Sequence, residues 1–284
     1  MQERGWLVVS CADRPGIVAA VSTWLFQHGA NIVHSDQHTT DPTGGRFFLR
    51  VEFDLAGLGG RLPALVEAFT PIANRYGMEW RITLASDLKR IAIFASSDDH
   101  RLQELLWRRR SGDLQADIGM VISNHERTGE VVKPWGIPFH HIPVNDINRD
   151  EAEAQQLALT LGTADLIVLA RYMQVLSPEF VDRWQHRIIN IHHSFLPAFS
   201  GANPYAQAAS RGVKLIGATA HYVTHELDAG PIIEQDVVRV DHRYTTRDLR
   251  RVGRQIERAV LARAVIWHIQ DRILVDGDKT VVFD

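Results

Sequence analysis

Several features that mark other classes of protein are scarce or missing in this chain of 284 residues. The single cysteine, Cys11, excludes an internal disulfide and suits a reducing compartment. The 14 histidines include no HExxH spacing, and no CxxC pair exists, so we expect no dedicated metal site. No apolar run approaches the ~20 residues that span a bilayer, and the first residues lack the pattern of a signal peptide. We therefore expect a cytoplasmic protein that does not enter membranes.

A strong charge of one sign is also lacking, because the formal net charge is only -3. We expect no nucleic-acid partner, since nucleic-acid surfaces are usually strongly basic. Basic residues do gather at Arg108–Arg110 and between Arg243 and Arg263. Their helical context indicates solvated helix faces, with a subunit contact as the alternative.

Residues 1–86 predict a small first domain. The periodicity favours strands at Gly5–Ser10, Asn31–Thr40, Arg46–Asp54 and Met78–Leu84, with helices from Ile17 to before Gly29 and at Leu62–Tyr76. The resulting order, βαββαβ, is that of a ferredoxin-like split unit.

The stretch CADRPGIVAAVSTWLFQHGANI in this domain resembles the opening of ACT domains, which are regulatory modules that commonly bind amino acids. The resemblance implies an amino-acid effector near two turns, at Asp13, Gly16, Gly29 and Asn31. It also implies a homo-oligomer formed by pairing of sheets. Sheet pairing without effector binding is the alternative.

Residues 87–284 predict a second α/β domain. Strands are expected at Lys89–Ala95, Ala116–Ser123, Pro138–Ile142 and Asp165–Ala170, and helices at Asp99–Arg110, Arg149–Leu161 and from Thr245 to about Ile273. Thr245 and Asp248 have the spacing of a capping box at the start of the last helix. Alternating strands and helices indicate a doubly wound, mostly parallel sheet.

The stretch from Ile188 to Pro231 concentrates the polar residues that suit chemistry. Side chains two apart on a strand share a face, so Asn190 and His192 point the same way. Asp228 follows in the loop after the next apolar run, where a carboxylate can meet the histidine. An amide, an imidazole and a carboxylate are the parts needed to attack a carbonyl carbon.

Three segments of the second domain, LARYMQVLSPEFVDRW, INIHHSFLP and AHYVTHELDAGPII, resemble the formyltetrahydrofolate-dependent transferase and hydrolase family. The resemblance spans residues 88–284 and implies that Asn190, His192 and Asp228 are the catalytic residues. It implies folate contacts, largely through the backbone, in two segments whose members are Tyr172, Met173, Gln174, Leu176, Val223, Thr224, His225 and Glu226.

With the ACT-like domain in front, the resemblance implies hydrolysis of 10-formyltetrahydrofolate to formate and tetrahydrofolate. This reaction would supply formate for purine synthesis and balance the one-carbon folate pool, and it needs no cofactor. Asn190, and His192 if protonated, can donate hydrogen bonds to the tetrahedral oxyanion, and one such donor is worth ~3 kcal/mol. Asp228 either favours the charged imidazolium or accepts the proton of the attacking water.

Two features favour water over another acceptor. The segment Phe94–His100 contains no glycine and has Asp98 and Asp99, so we expect it to repel a phosphorylated acceptor. Family transferases usually have a proline where this chain has His193. We expect His193 to narrow the acceptor side of the site or to position water. A packing role for His193 is the alternative.

Two alternative hypotheses apply to the whole chain. It is either a formyltransferase that acts on an amine, or a sensor that binds folate or an amino acid without turnover. Three positions depart from the hydrolytic members of the family. Asn203 and Ala206 replace a basic residue and a histidine, and Arg101 replaces a cysteine.

Overall fold

The structure, a computed structural model, describes residues 2–41, 43–197 and 204–283. Backbone contacts divide the chain into two compact units. The first unit contains residues 2–88 together with 270–276 and 281–283, and the second contains residues 89–269 and 277–280. The expected second domain ran without a break to residue 284, so the placement of the C-terminal segments is a feature that the sequence did not indicate.

The first unit has the predicted βαββαβ order. Its elements are β1 (Gln2–Ala12), α1 (Ile17–Gln27), β2 (Asn31–Thr39), β3 (Arg46–Ala56), α2 (Leu58–Tyr76) and β4 (Glu79–Leu84). The strands form an antiparallel sheet in the order β2-β3-β1-β4. One aromatic stack, Trp24 against Phe69 against Trp80, with ring centroids 4.9 and 4.7 Å apart, lies in the core of this unit.

The second unit contains the predicted α/β pattern. Its strands are β5 (Lys89–Ala95), β6 (Ala116–Ser123), β7 (Phe139–His141), β8 (Leu166–Ala170), β9 (Ile188–His192), β10 (Leu215–Tyr222) and β11 (Ile232–Arg239). Its helices are α3 (His100–Ser111), α4 (Thr128–Val132), α5 (Arg149–Thr160), α6 (Pro178–Arg183), α7 (Pro204–Arg211) and α8 (Thr246–Ile269), with a 3-10 turn at Lys133–Trp135.

These seven strands form one sheet in the order β11-β10-β9-β8-β5-β6-β7. The strands from β9 to β7 are parallel, whereas β10 runs antiparallel to both β9 and β11. The expectation of a mostly parallel sheet is confirmed, and its antiparallel edge carries part of the site described below.

The last helix begins as predicted and ends early. Thr245 and Asp248 form the capping box, with the Asp248 N–H 3.3 Å from the Thr245 hydroxyl and the Thr245 N–H 3.1 Å from the Asp248 carboxylate. The helix was expected to reach about Ile273 but ends at Ile269, and β12 (Ile273–Asp276) and β13 (Lys279–Val282) follow. In the first unit, Leu274 packs with Phe48. Burial of this apolar strand therefore outweighs the helical spacing of apolar residues that predicted a longer helix.

No helix among the described residues is long and apolar enough to cross a membrane. No group of three or more histidine, cysteine and acidic side chains there is arranged to hold a metal ion. Pro204 is the first residue of α7. The sequence predicts this helix start from Asn203–Pro204, with Asn203 as the cap, and a turn at Ser200–Gly201 before it. Asn203 and this turn lie outside the described residues.

Candidate active site

Two neighbouring strands present polar side chains on one face of the large sheet. Asn190 and His192 alternate with buried isoleucines on β9, as the sequence predicts. Because β10 pairs antiparallel to β9, His221 lies directly opposite Asn190, and Thr219 lies opposite His192. Residues directly opposite each other in a sheet share a face, so His221 joins the amide and the imidazole.

Asp228 completes this group from the loop between β10 and β11. Its Oδ2 lies 3.0 Å from Nδ1 of His192, and its Oδ1 lies 3.6 Å from Nε2 of His221. The hydrogen bond from His192, with a smaller effect of the nearby His221, holds the pKa of the Asp228 carboxyl well below its usual value, although partial burial opposes this effect. The carboxylate is therefore charged at neutral pH and accepts the Nδ1 proton of His192, with the His221 ring close by.

The backbone of this loop is specialised. Asp228 has a φ of 56°, in the left-handed region that aspartate and asparagine tolerate better than most residues. A Cβ at Gly230 would collide with the carbonyl oxygen of Tyr222, so the backbone approaches there as only glycine permits. The loop therefore depends on its own sequence to bring the carboxylate over the sheet.

The loop that carries Asp228 does not follow a strand that is parallel to β9. Since β10 is antiparallel, its last residue, Tyr222, lies opposite Ile189, near the start of β9 rather than its end. The N–H of Val223 still bonds to the carbonyl of Ile188, 3.0 Å away. Asp228 reaches His192 because the following residues turn back over the sheet, and not because both strands end at one edge.

His221 is a site residue that the sequence reasoning missed. Its Nδ1 lies 2.8 Å from the carbonyl oxygen of Tyr222 and must donate, because a carbonyl only accepts. In the neutral ring Nε2 is then an acceptor, and Asn190 Nδ2 donates to it over 3.2 Å. The spacing of His221 from Asp228 gave no signal, but an antiparallel pairing of the NIH and AHY segments would have placed it.

The other ring nitrogen of His192 is left without a partner. His192 is only 5% exposed, and its Nε2 is buried with no hydrogen bond from any described residue. Since Asp228 accepts the Nδ1 proton, the neutral ring carries a lone pair on Nε2. This nitrogen is the one available to take up a proton in a reaction.

The first expected folate segment, Tyr172–Leu176, follows β8 without forming a helix or strand. Tyr172 is buried, its hydroxyl accepts a hydrogen bond from Gln156 over 2.7 Å, and burial raises its pKa to about 12. Its ring lies edge-on to Phe94, which gives the side chain a core role. Met173 is 62% exposed, with a φ of 62°, and Gln174 is half-buried.

The second expected folate segment, Val223–Asp228, turns tightly after β10. The Thr224 hydroxyl donates to the carbonyl of Glu226 over 3.2 Å, and the exposed His225 pairs with Asp182 at 2.8 Å. Val223, like Leu176 of the first segment, packs against the core of the second unit. Side chains of both segments thus anchor the backbone, and the folate contacts stay a prediction.

The four expected effector residues do not form one cluster within the chain. Asp13, which accepts a hydrogen bond from Thr39 over 2.8 Å, and Gly16, with a φ of 94°, precede α1. Gly29, with a φ of 75°, and the exposed Asn31 follow α1. The 11 residues of this helix separate the two pairs by roughly 16 Å.

A cavity of about 290 Å³ lies on the His193 side of the site. The described residues that line it are Asp98, His100, Arg101, Arg171, His193, Pro204, Tyr205, Arg250, Arg254 and Glu257. Asp98 forms an ion pair with Arg171, and Asp99 accepts a hydrogen bond from Gln103 over 2.7 Å. The expected repulsion of anions by these acidic residues is therefore wrong, since arginines outnumber carboxylates around the cavity.

One wall of this cavity contains Arg101, which is one of the three residues that depart from the family pattern. Arg101 and Glu257 are each about 2% exposed in their side chains and form an ion pair, joined by Tyr205 and His100. Burial opposes ionisation of Glu257, but His100, Arg101 and Tyr205 together lower its pKa to about 2. Ala206, the other described departure, is exposed on α7 and does not line the cavity.

His193 lies between this cavity and the group formed by Asn190, His192 and Asp228. Its ring centroid is 5.2 Å from that of His192 and 6.0 Å from that of Tyr205. Burial, followed by the charge of His192, lowers the pKa of His193 to about 4. The ring is therefore neutral at pH 7 and can both donate and accept a hydrogen bond.

Comparison with known proteins accounts for both units. The family model described as formyl transferase matches residues 89–265, and the ACT domain model matches residues 5–69. The chain belongs to the formyl transferase family, with an ACT domain ahead of the catalytic part.

Its relatives within that family carry a more particular name. The formyltetrahydrofolate deformylase of Bacillus subtilis is 57% identical over 284 residues, which is 100% of this chain and 95% of the relative. A crystal structure of formyltetrahydrofolate deformylase from Burkholderia mallei has a TM-score of 0.94 at 45% identity and covers 99% of this chain and 100% of that one. A glycinamide ribonucleotide transformylase from Symbiobacterium toebii has a TM-score of 0.66 at 29% identity and covers 71% of this chain and 97% of that one.

Proposed function

We propose that the chain hydrolyses 10-formyltetrahydrofolate to formate and tetrahydrofolate, with water as the acceptor. The observation that carries the proposal is the charged Asp228 holding His192 at 3.0 Å, beside an amide oriented by His221. The relatives named formyltetrahydrofolate deformylase, up to 57% identical, support the same reaction.

His192 is the group that moves the proton. Its Nε2 accepts a proton from water while the water oxygen bonds to the formyl carbon. Asp228 stabilises the imidazolium that forms, and its lowered pKa makes the carboxylate itself a poor base. When the C–N bond breaks, the imidazolium returns the proton to the nitrogen of tetrahydrofolate, and formic acid then loses its own proton to solvent.

Asn190 stabilises the oxyanion of the tetrahedral intermediate. Its Nδ2 has two N–H bonds, and His221 Nε2 accepts one of them, 3.2 Å away. The second N–H is then held in a fixed direction, toward the carbonyl oxygen as it becomes negative. A preorganised donor of this kind contributes roughly 3 kcal/mol to the transition state.

The decisive experiment is to mix the purified protein with 10-formyltetrahydrofolate alone. Release of formate and tetrahydrofolate in equal amounts, with no amine present, is the expected result. The positively charged cavity beside His193 gives one reason to test a second function, transfer to a phosphorylated amine. Turnover only after such an amine is added would support transfer, and binding without turnover would support a sensor.

The two expected folate segments complete this proposal. Their anchoring side chains meet at one core cluster, which contains Tyr172 and against which Val223 packs. Main-chain groups between these anchors would bind the pterin part of the folate. Released formate would then feed purine synthesis in the cytoplasm, where the unpaired and buried Cys11 would remain reduced.

Residues 1–86 would act as a regulatory and oligomerising domain and residues 87–284 as the hydrolase domain. The ACT unit supports a homo-oligomer because its edge strand β2 is exposed along most of its length, with Ile32 and Val33 40% and 44% exposed. Pairing of this edge between two copies would bring the turns at opposite ends of α1 together and create an amino-acid site. Titration of amino acids into the hydrolysis assay, and the sedimentation of Val33→Lys, test these two parts.

A further inference from the structure

We propose that the arginine-lined cavity beside His193 binds the carboxylate product and forms the exit site for formate. This inference rests on the proposed hydrolysis and adds a binding site on the side of the reacting group away from the folate.

The charge of the cavity walls favours a small anion. Two of the four lining arginines are neutralised, because Arg171 pairs with Asp98 and Arg101 pairs with Glu257. Arg250 and Arg254, one helical turn apart on α8, have no carboxylate partner among the described residues. Both residues are exposed, and their two charges attract an anion toward the cavity that they line.

Buried donors in the walls also lack acceptors. Arg101 is only 2% exposed, yet its Nε and Nη1 have no hydrogen-bond partner among the described residues. The Nε of Arg171 is buried and unpaired in the same way. A buried donor without an acceptor is unfavourable, and a small shift of these side chains would let a carboxylate supply two acceptor oxygens that match a guanidinium.

The position of the cavity identifies the anion as the product. His193 lines the cavity, and its ring lies 5.2 Å from that of His192, where the C–N bond breaks. Formate is formed at this point and is an anion at neutral pH. A volume of about 290 Å³ admits formate and several waters and is far smaller than a folate requires.

Product inhibition by formate tests the proposal. We expect formate to inhibit hydrolysis, and Arg254→Gln and Arg250→Gln to raise its inhibition constant roughly tenfold, as expected for the loss of one charge-assisted contact. Arg251→Gln is the matched control, because Arg251 lies on the same helix and does not line the cavity. An equal rise in all three variants, or no rise in any, would overturn the proposal.

A binding measurement separates this inference from the proposed function. Carbon-13 formate is titrated into the free protein, and line broadening should appear at millimolar concentration and weaken in Arg254→Gln but not in Arg251→Gln. Turnover of the folate without such line broadening would contradict the exit site and leave the proposed hydrolysis intact. Broadening that inorganic phosphate abolishes at a far lower concentration than formate would overturn the proposal in favour of a phosphorylated ligand.

Discussion

Asn190 and His221 face each other across two antiparallel strands, with the amide nitrogen of one 3.2 Å from Nε2 of the other. The opposite ring nitrogen of His221 is held by the carbonyl of Tyr222 at 2.8 Å. The carbonyl of Tyr222 therefore fixes the tautomer of His221, and His221 fixes the orientation of the Asn190 amide. Asn190 is consequently oriented before substrate arrives, as a donor to a transient charge should be.

The first prediction separates the two nitrogens of His221. His221→Asn keeps a donor near the Nδ1 position but removes the acceptor for Asn190, so we expect kcat to fall by about 10- to 100-fold, with KM for the folate changing little. His221→Gln places an amide oxygen near the Nε2 position and should recover part of the rate. Steady-state kinetics of both variants provide the check. Equal losses in kcat, or losses confined to KM, would indicate a merely structural role.

The second prediction concerns Asp228. Asp228→Asn keeps the size of the side chain and tolerates the φ of 56°, but it removes the charge that stabilises the His192 imidazolium. We expect kcat to fall by about 100-fold or more while the folate still binds. Asp241→Asn, which removes an exposed carboxylate paired only with Arg243 among the described residues, is the control. Retention of most of the activity in Asp228→Asn would contradict the proposed proton path.

The third prediction is the pH dependence of stability that Glu257 confers. Its pKa is about 2 in the folded protein and 4.5 ordinarily, so its contribution is complete above pH 4.5 and is lost as the pH falls toward 2. The loss should amount to about 3 kcal/mol over that window. Glu257→Gln leaves Arg101 buried without a counter-charge and should destabilise the protein by about 3–5 kcal/mol at pH 7.

Urea unfolding at pH 7 and pH 3 checks this third prediction, with Glu126→Gln as the control because Glu126 is exposed. The midpoints of the wild type and Glu257→Gln should converge as the pH falls. A constant difference between the two pH values would show that the charge of Glu257 does not contribute to folding.

The fourth prediction concerns His193, whose pKa of about 4 keeps it neutral in the physiological range. If the ring positions water for attack, His193→Pro should slow formate release by roughly tenfold, and His193→Phe, which fills similar space, should not restore the rate. Assays between pH 6 and 8 should show no titration that depends on His193. Formate release at the wild-type rate in His193→Pro would dismiss the water-positioning role.

Much of the fold could be predicted because it follows from local patterns of apolar, polar and turn-forming residues. The bounds of β5 and β6, the βαββαβ order and the capping box of α8 all depend on residues a few positions apart. The grouping of Asn190, His192 and Asp228 also agrees with the structure, and their catalytic roles stay a prediction.

The features that the sequence did not predict have another physical origin, because each depends on contacts between distant parts of the chain. His221 joins the site only through the register of β10 against β9. The charge of Asp98 is offset by Arg171, and Arg101 meets Glu257 from 156 positions away. The end of α8 was missed because Leu274 is buried by contacts with residues near the start of the chain.

The last of these contacts has a consequence for dissecting the protein. The chain contributes three described segments to its first unit, because residues 270–276 and 281–283 return to it on either side of residues 277–280 of the second unit. A fragment that stops at Leu88 would leave Phe48 and Val8 without the cover that Leu274 and Phe283 provide. Trimming the carboxyl terminus would thus remove buried residues from the first unit, and no single proteolytic cut yields both units intact.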